Sequence, residues 1–303
     1  MSGDDLVFLG GSNEGGEGGT PPDATALKER AAGALERGLG FVREHGNSLS
    51  ILRAHVALQA EPVSAWVEAL GALQASDGSF APFAPPVRGL VGRTLAEHGA
   101  DPRLAGTLEG LGLLADARQQ DAAVAEASIR FVESLQGEDG AFAATAGDET
   151  AAIVVTGLAA GSLGRSRYSR PEVLRAAGDW LGERFDPDRV EQGHQAERTA
   201  FAMYYANAPD DLADEALQWC GRELERGFRS HALEALAVMQ VLLVCQVGSL
   251  PGASFAPEEL LERLLSEQAG DGGFDALAAD GAPARVASTI DAMRAVIGLC
   301  ATF

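Results

Sequence analysis

A chain of 303 residues, 46% hydrophobic and 22% charged, carries enough apolar material for a sizeable core. Its 44 acidic residues stand against 23 basic ones, a formal charge of -21, and Lys28 is the lone lysine. That balance disfavours nucleic acid and anionic membrane surfaces as partners, and it suits a solvated acidic shell of the kind salt-adapted proteins carry.

Residues 1–22 hold seven glycines and four acids, and they end in Pro21-Pro22. They are expected as a disordered tail, with the short apolar run Leu6–Leu9 as a segment that could dock on a protein partner. No basic region precedes that run, so no export signal is expected. From residue 23 to 303 the pattern reads as a single all-α domain. Amphipathic helices are expected at 23–45, 62–76, 121–136, 171–185, 209–226 and 257–268, several with Pro at the first position: Pro171, Pro209 and Pro257. Each is followed by a helix apolar nearly all round, at 48–60, 102–116, 148–162, 194–206, 230–247 and 283–301. Residues 84–98 read as one additional helix. The apolar stretch 232–247 is interrupted by Glu234, Gln240 and Gln246, and is too short and polar to span a bilayer. Cys220, Cys245 and Cys300 show no paired spacing, which suits free thiols in a reducing cytoplasm.

Three copies of Q-x-x-D-G-x-F punctuate this alternation: Gln74–Phe80, Gln136–Phe142 and Gln268–Phe274. Asp-Gly supplies a sharp turn in which Gly takes positive φ, the Asp carboxylate can accept backbone N–H groups, and Phe anchors the exit. Asp77 to Asp139 is 62 residues and Asp139 to Asp271 is 132, so one copy is expected to be missing near Asp186-Pro187-Asp188. Six helical hairpins that need their neighbours to bury their faces give an (α/α)6 ring.

The motif followed by a small-residue helix resembles the repeat of terpenoid cyclases and protein prenyltransferase β subunits, over about 62–301. The resemblance implies an (α/α)6 toroid whose cavity holds an isoprenoid or another apolar small molecule. Class II cyclases of that superfamily carry Asp-x-Asp-Asp-Thr-Ala, and the nearest match here is Ala146-Gly147-Asp148-Glu149-Thr150-Ala151. On that alignment Asp148 would be the proton donor and Glu149 the next acid, while Ala146 replaces the first Asp. The same placement suits an N-cap with an acid on the helix dipole. The zinc site of the prenyltransferases is not matched, because no Asp-x-Cys occurs, and neither metal nor cofactor is expected.

Two further pairs, His194 with Glu197 and His231 with Glu234, open consecutive apolar helices at i,i+3 spacing. With Asp148 and Arg198 they could converge on one rim and bind substrate or a metal, or run acid–base chemistry; they equally suit first-turn acids beside surface histidines. Phe201, Tyr204 and Tyr205 are the aromatic candidates for a cavity lining, or else ordinary core. The readings left open are an isoprenoid-handling cyclase, a non-catalytic toroid that binds a lipid or protein, and a carboxylate-based hydrolase.

Overall fold

The computed structural model of the protein describes residues 24–142, 148–275 and 281–303. The tail 1–22, and Ala146 and Gly147 of the acid motif, lie outside the described residues. Within them every element is an α-helix and no strand occurs. The first seven are α1 (Ala24–His45), α2 (Ser48–Ala57), α3 (Val63–Gly71), α4 (Leu90–Glu97), α5 (Pro102–Asp116), α6 (Ala123–Glu133) and α7 (Glu149–Gly164). The rest are α8 (Pro171–Gly182), α9 (Pro187–Gln192), α10 (Gln195–Asn207), α11 (Ala213–Arg229), α12 (Ala235–Cys245), α13 (Pro257–Ser266) and α14 (Ala282–Cys300). None of them is long and apolar enough to cross a membrane.

Two kinds of helix alternate, as their periodicity predicts. In α11 one stripe (Ala216, Cys220, Leu224 and Phe228) is buried and the opposite face is wet. In α7 every residue from Ile153 to Leu163 is buried, so that helix is enclosed by protein on all sides. The enclosed helices touch one another in order, α5 on α7, α7 on α10, α10 on α12 and α12 on α14, and α14 packs on α2. The amphipathic α1 packs on α13 and α14, so the beginning and end of the described chain lie together. Small residues permit this closeness: a Cβ on Gly157 would sit 2.7 Å from the Ala200 carbonyl oxygen, and one on Gly161 would be 2.7 Å from Met203. The additional helix α4 contacts α5, α7 and α12, lying across the enclosed set.

The Q-x-x-D-G-x-F copies build one joint three times. The glutamine amide donates to the glycine carbonyl of its own turn and to a carbonyl in another amphipathic helix. Gln74 reaches Val124 in α6 at 2.8 Å, Gln136 reaches Val173 in α8 at 2.9 Å, and Gln268 reaches Ala34 in α1 at 2.9 Å. Gly78, Gly140 and Gly272 have φ of +86°, +90° and +87°, and a Cβ on any of them would collide with a helix carbonyl. Each Asp accepts the N–H two residues on, and each Phe ring is buried. The Phe N–H is taken by a threonine hydroxyl of an enclosed helix: Thr107 for Phe80, Thr156 for Phe142 and Thr289 for Phe274, at 3.0 to 3.1 Å. Those threonines were not read from the sequence as part of the motif.

Several boundaries differ from expectation. The 132 residues between the second and third copies hold three helix-pair cycles, so two junctions lack the motif; the 62-residue interval is long because it contains α4. At the first such junction Asp186 accepts the N–H of Asp188 and caps the short helix α9, with Pro187 at its first position. At the second, Arg263 donates to the Phe228 carbonyl at 2.7 Å and stacks 3.7 Å over its ring, while Glu267 accepts the first N–H groups of α12. Pro209 does not open α11, which starts four residues later, because Asp210 turns the chain by accepting the N–H of Leu212. Cys220 and Cys245 are buried free thiols, whereas Cys300 is half-buried.

Replacing Thr156 with Val should orphan the buried Phe142 N–H and destabilise the fold by about 1–3 kcal/mol, read as a lower urea midpoint at unchanged slope. Hydrogen bonds from Ser79 and the nearby Arg103 guanidinium hold the Asp77 carboxyl at about 2, below its ordinary 3.8. Its contribution is therefore full above about pH 4 and disappears as the pH falls through about 2. The urea midpoint of Asp77→Asn should lie below the parent's at pH 7 and converge with it near pH 2.

Candidate functional site

Asp148 is the N-cap of α7: it is exposed, and its carboxylate accepts the Ala151 N–H at 3.1 Å. Beside it, exposed Glu149 accepts from Arg189 at 2.8 Å. The same guanidinium donates twice to buried Glu197, at 3.0 and 3.2 Å, so Arg189 brings Glu149 and Glu197 together. Arg198 is spent on backbone, donating to the Gly193 carbonyl at 2.8 Å. His194 and Glu234 are exposed N-cap residues without side-chain cap bonds, and His231 is exposed in a left-handed turn with φ of +59°. Among the described residues no hydrogen bond or ion pair joins those three to the Arg189 group. Phe201, Tyr204 and Tyr205 are buried: Phe201 and Tyr205 meet Phe185 edge-on at 5.6 and 6.1 Å, Tyr204 meets Tyr205 at 4.9 Å, and the Tyr204 hydroxyl donates to Leu174 of α8. No three His, Cys, Asp or Glu side chains among the described residues are placed to share a metal ion.

A more spacious site lies elsewhere, toward the C-terminal ends of the enclosed helices. A cavity of about 690 Å³ opens between α2, α3, α12 and α14. Val56, Val63, Trp66, Leu243 and Ile297 form apolar walls, and Arg53, Asp116 and Arg294 form its floor. Gln59 and Ala301 are exposed at its mouth. A narrower space of about 40 Å³ shares Arg53, Asp116, Leu243 and Arg294 with this cavity and extends inward to Glu109, Arg165, Gln240 and Asp291. The sixteen-residue helix α7 separates Asp148 at its start from Arg165 at its end. At 1.5 Å per residue that is about 24 Å.

The floor is an ionic network contributed by four helices, α2, α5, α12 and α14. Arg53 Nη2 donates to Asp116 and to Asp291, both at 2.7 Å. Arg294 pairs with the other Asp116 oxygen at 2.9 Å, and Gln240 donates to the other Asp291 oxygen at 3.2 Å. All four carboxylate oxygens are thereby engaged. Burial alone would lower the Arg53 pKa, but the Asp291 and Asp116 charges outweigh it and hold it above its ordinary value. Glu109 is pushed up by burial, an effect partly offset because Gly89 and Gly92 donate backbone N–H groups to its two oxygens at 2.9 and 2.7 Å. Those glycines belong to the first turn of α4, so the inserted helix is pinned by its positive end. Arg165, the C-cap of α7, has no carboxylate within ion-pair distance among the described residues, and burial lowers its pKa to about 10.

Sequence reasoning passed over these residues because each reads as an isolated interruption of an apolar helix. The signal was that Arg53, Glu109, Asp116, Gln240, Asp291 and Arg294 all interrupt the enclosed set, where a polar side chain must find a partner. No protein-family model matches this chain, and no curated protein is significantly similar to it.

Arg53→Met should leave Asp116 and Asp291 buried without their shared cation and cost about 3–5 kcal/mol in chemical denaturation. Asp148→Asn should cost no more than about 0.5 kcal/mol, since Asn caps helices as well as Asp does.

Proposed function

We propose that residues 23–303 form an (α/α)6 toroid that binds an apolar small molecule of the isoprenoid class in the cavity between α2, α3, α12 and α14, without performing chemistry on it. The observation that carries this reading is the cavity itself: about 690 Å³ with apolar walls, at the ends of the enclosed helices. The ring closure is supported by the packing of α14 on α2 and α1 on α13, and by the Gln268 bond to Ala34. The Arg53–Asp116 ion pair links α2 to α5.

The position of the acids favours binding over catalysis. A proton donor to an alkene must face the substrate with its proton free. Asp148 is exposed, occupied as a cap, and a helix length away from the cavity floor. A hydrolase needs two carboxylates free to act. Asp116 lines the cavity and Asp291 the narrower space beside it, but their oxygens are all taken up by Arg53, Arg294 and Gln240.

Incubation with farnesol, geranylgeraniol and their diphosphates, followed by native mass spectrometry and product extraction, tests the reading. One equivalent of unaltered ligand should be retained, and Ile297→Trp, which fills the cavity from α14, should abolish retention while helicity persists. A cyclised product that disappears in Asp148→Asn would establish the cyclase instead. Absence of both retention and turnover at every chain length would remove the isoprenoid reading altogether.

A further inference from the structure

We propose that the ligand carries a terminal carboxylate, received at the inner end of the cavity by the Nε–Nη2 edge of Arg165. This rests on the reading of the cavity as a binding site for an apolar small molecule. Nε and Nη2 of Arg165 are both buried and have no hydrogen-bond partner. They form one side of the guanidinium plane, with the two parallel N–H vectors that a carboxylate accepts in a bidentate pair. Arg53, which is 6% exposed, leaves its own Nε and Nη1 buried and unpartnered in the same space. Guanidinium groups only donate, so orphaned donors on two arginines that line the same space call for an acceptor. Leaving such groups buried and unmet carries a penalty that a bound acceptor would remove.

The charge and size of the inner space narrow the acceptor. Arg53 and Arg294 are matched by Asp116 and Asp291, and the Glu109 carboxylate is taken up by the N–H groups at the start of α4. Arg165 lines this space with no carboxylate in ion-pair range among the described residues, so a bound carboxylate would give its buried edge the kind of partner that Arg53 and Arg294 already have. The inner space holds about 40 Å³, suited to a compact planar head, while the adjoining cavity of about 690 Å³ has the apolar walls for a chain. A diphosphate would bring several charges beside Asp116 and Asp291, which also face this space.

Farnesoic acid, farnesol and farnesyl diphosphate share one tail and differ in the head, so titrating each by calorimetry isolates the head's contribution. The acid should bind roughly tenfold to a hundredfold more tightly than the alcohol, as charge-assisted bonds predict. Arg165→Met should remove that advantage, bringing acid and alcohol to similar affinity, with circular dichroism and thermal unfolding showing the variant to be folded. Arg165→Lys should recover only part of it, because a point charge lacks the fork. Equal binding of acid and alcohol would overturn the carboxylate site while leaving the apolar cavity reading intact. Tighter binding of the diphosphate than of the acid would overturn it in favour of a multiply charged head. Binding of none of the three would overturn both readings together.

Discussion

The amide of one glutamine, four residues ahead of a left-handed glycine, fixes how this chain turns from an amphipathic helix into an enclosed one. Its two N–H groups are spent on the carbonyl of its own turn and on a carbonyl in a different amphipathic helix, so local geometry and long-range packing are set by one side chain. Neither bond is strong alone, at about 1 kcal/mol net. The glycine that makes the turn could not carry a Cβ in any case, because the neighbouring helix carbonyl occupies that volume. A joint of this kind places the starts of enclosed helices on one side of the fold. Their C-terminal ends, which no such joint fills, are where the cavity opens.

Where the glutamine is absent, other chemistry does the same work. Arg263 grips the end of α11 through the Phe228 carbonyl and ring, and the Glu267 carboxylate caps α12 from the neighbouring helix. Burial raises the Glu267 pKa, and the Leu236 and Ala235 N–H groups oppose that rise. The substitution of a charged grip for an amide grip conserves the geometry and not the residues. That is why a search for the motif finds three copies and undercounts the cycles between them.

The helical architecture was legible because burial leaves a periodic imprint: one stripe for α11, apolar residues all round for α7. The turn residues were legible for the same reason, since positive φ selects glycine and a buried exit selects Phe. The threonines that receive the Phe N–H lie 14 to 27 residues downstream of it, in helices where a lone Thr carries no periodic signal. The cavity was less legible still. Arg53, Asp116 and Asp291 are separated by 63 and 238 residues along the chain, and only the fold brings them within one hydrogen bond of each other. The sequence instead drew attention to the starts of the enclosed helices, where acids and histidines are frequent because helix dipoles and caps favour acids there.

The contrast between surface and interior bears on what such a cavity can select. A net charge of -21 makes the protein's far field repulsive to any anion. That field is screened within about 8 Å at physiological ionic strength, whereas a buried arginine acts through a medium of low dielectric. Charge therefore gives no long-range recruitment of an anionic ligand; discrimination must come at the end of the approach, after the head has shed its water. An apolar tail can provide the driving force for entry, at about 25 cal/mol per Å² of surface buried. For a head with one charge, Arg165 and the unused donors of Arg53 can replace the lost hydration. For a head with several, the two aspartates that keep Arg53 in place would turn the same floor against it.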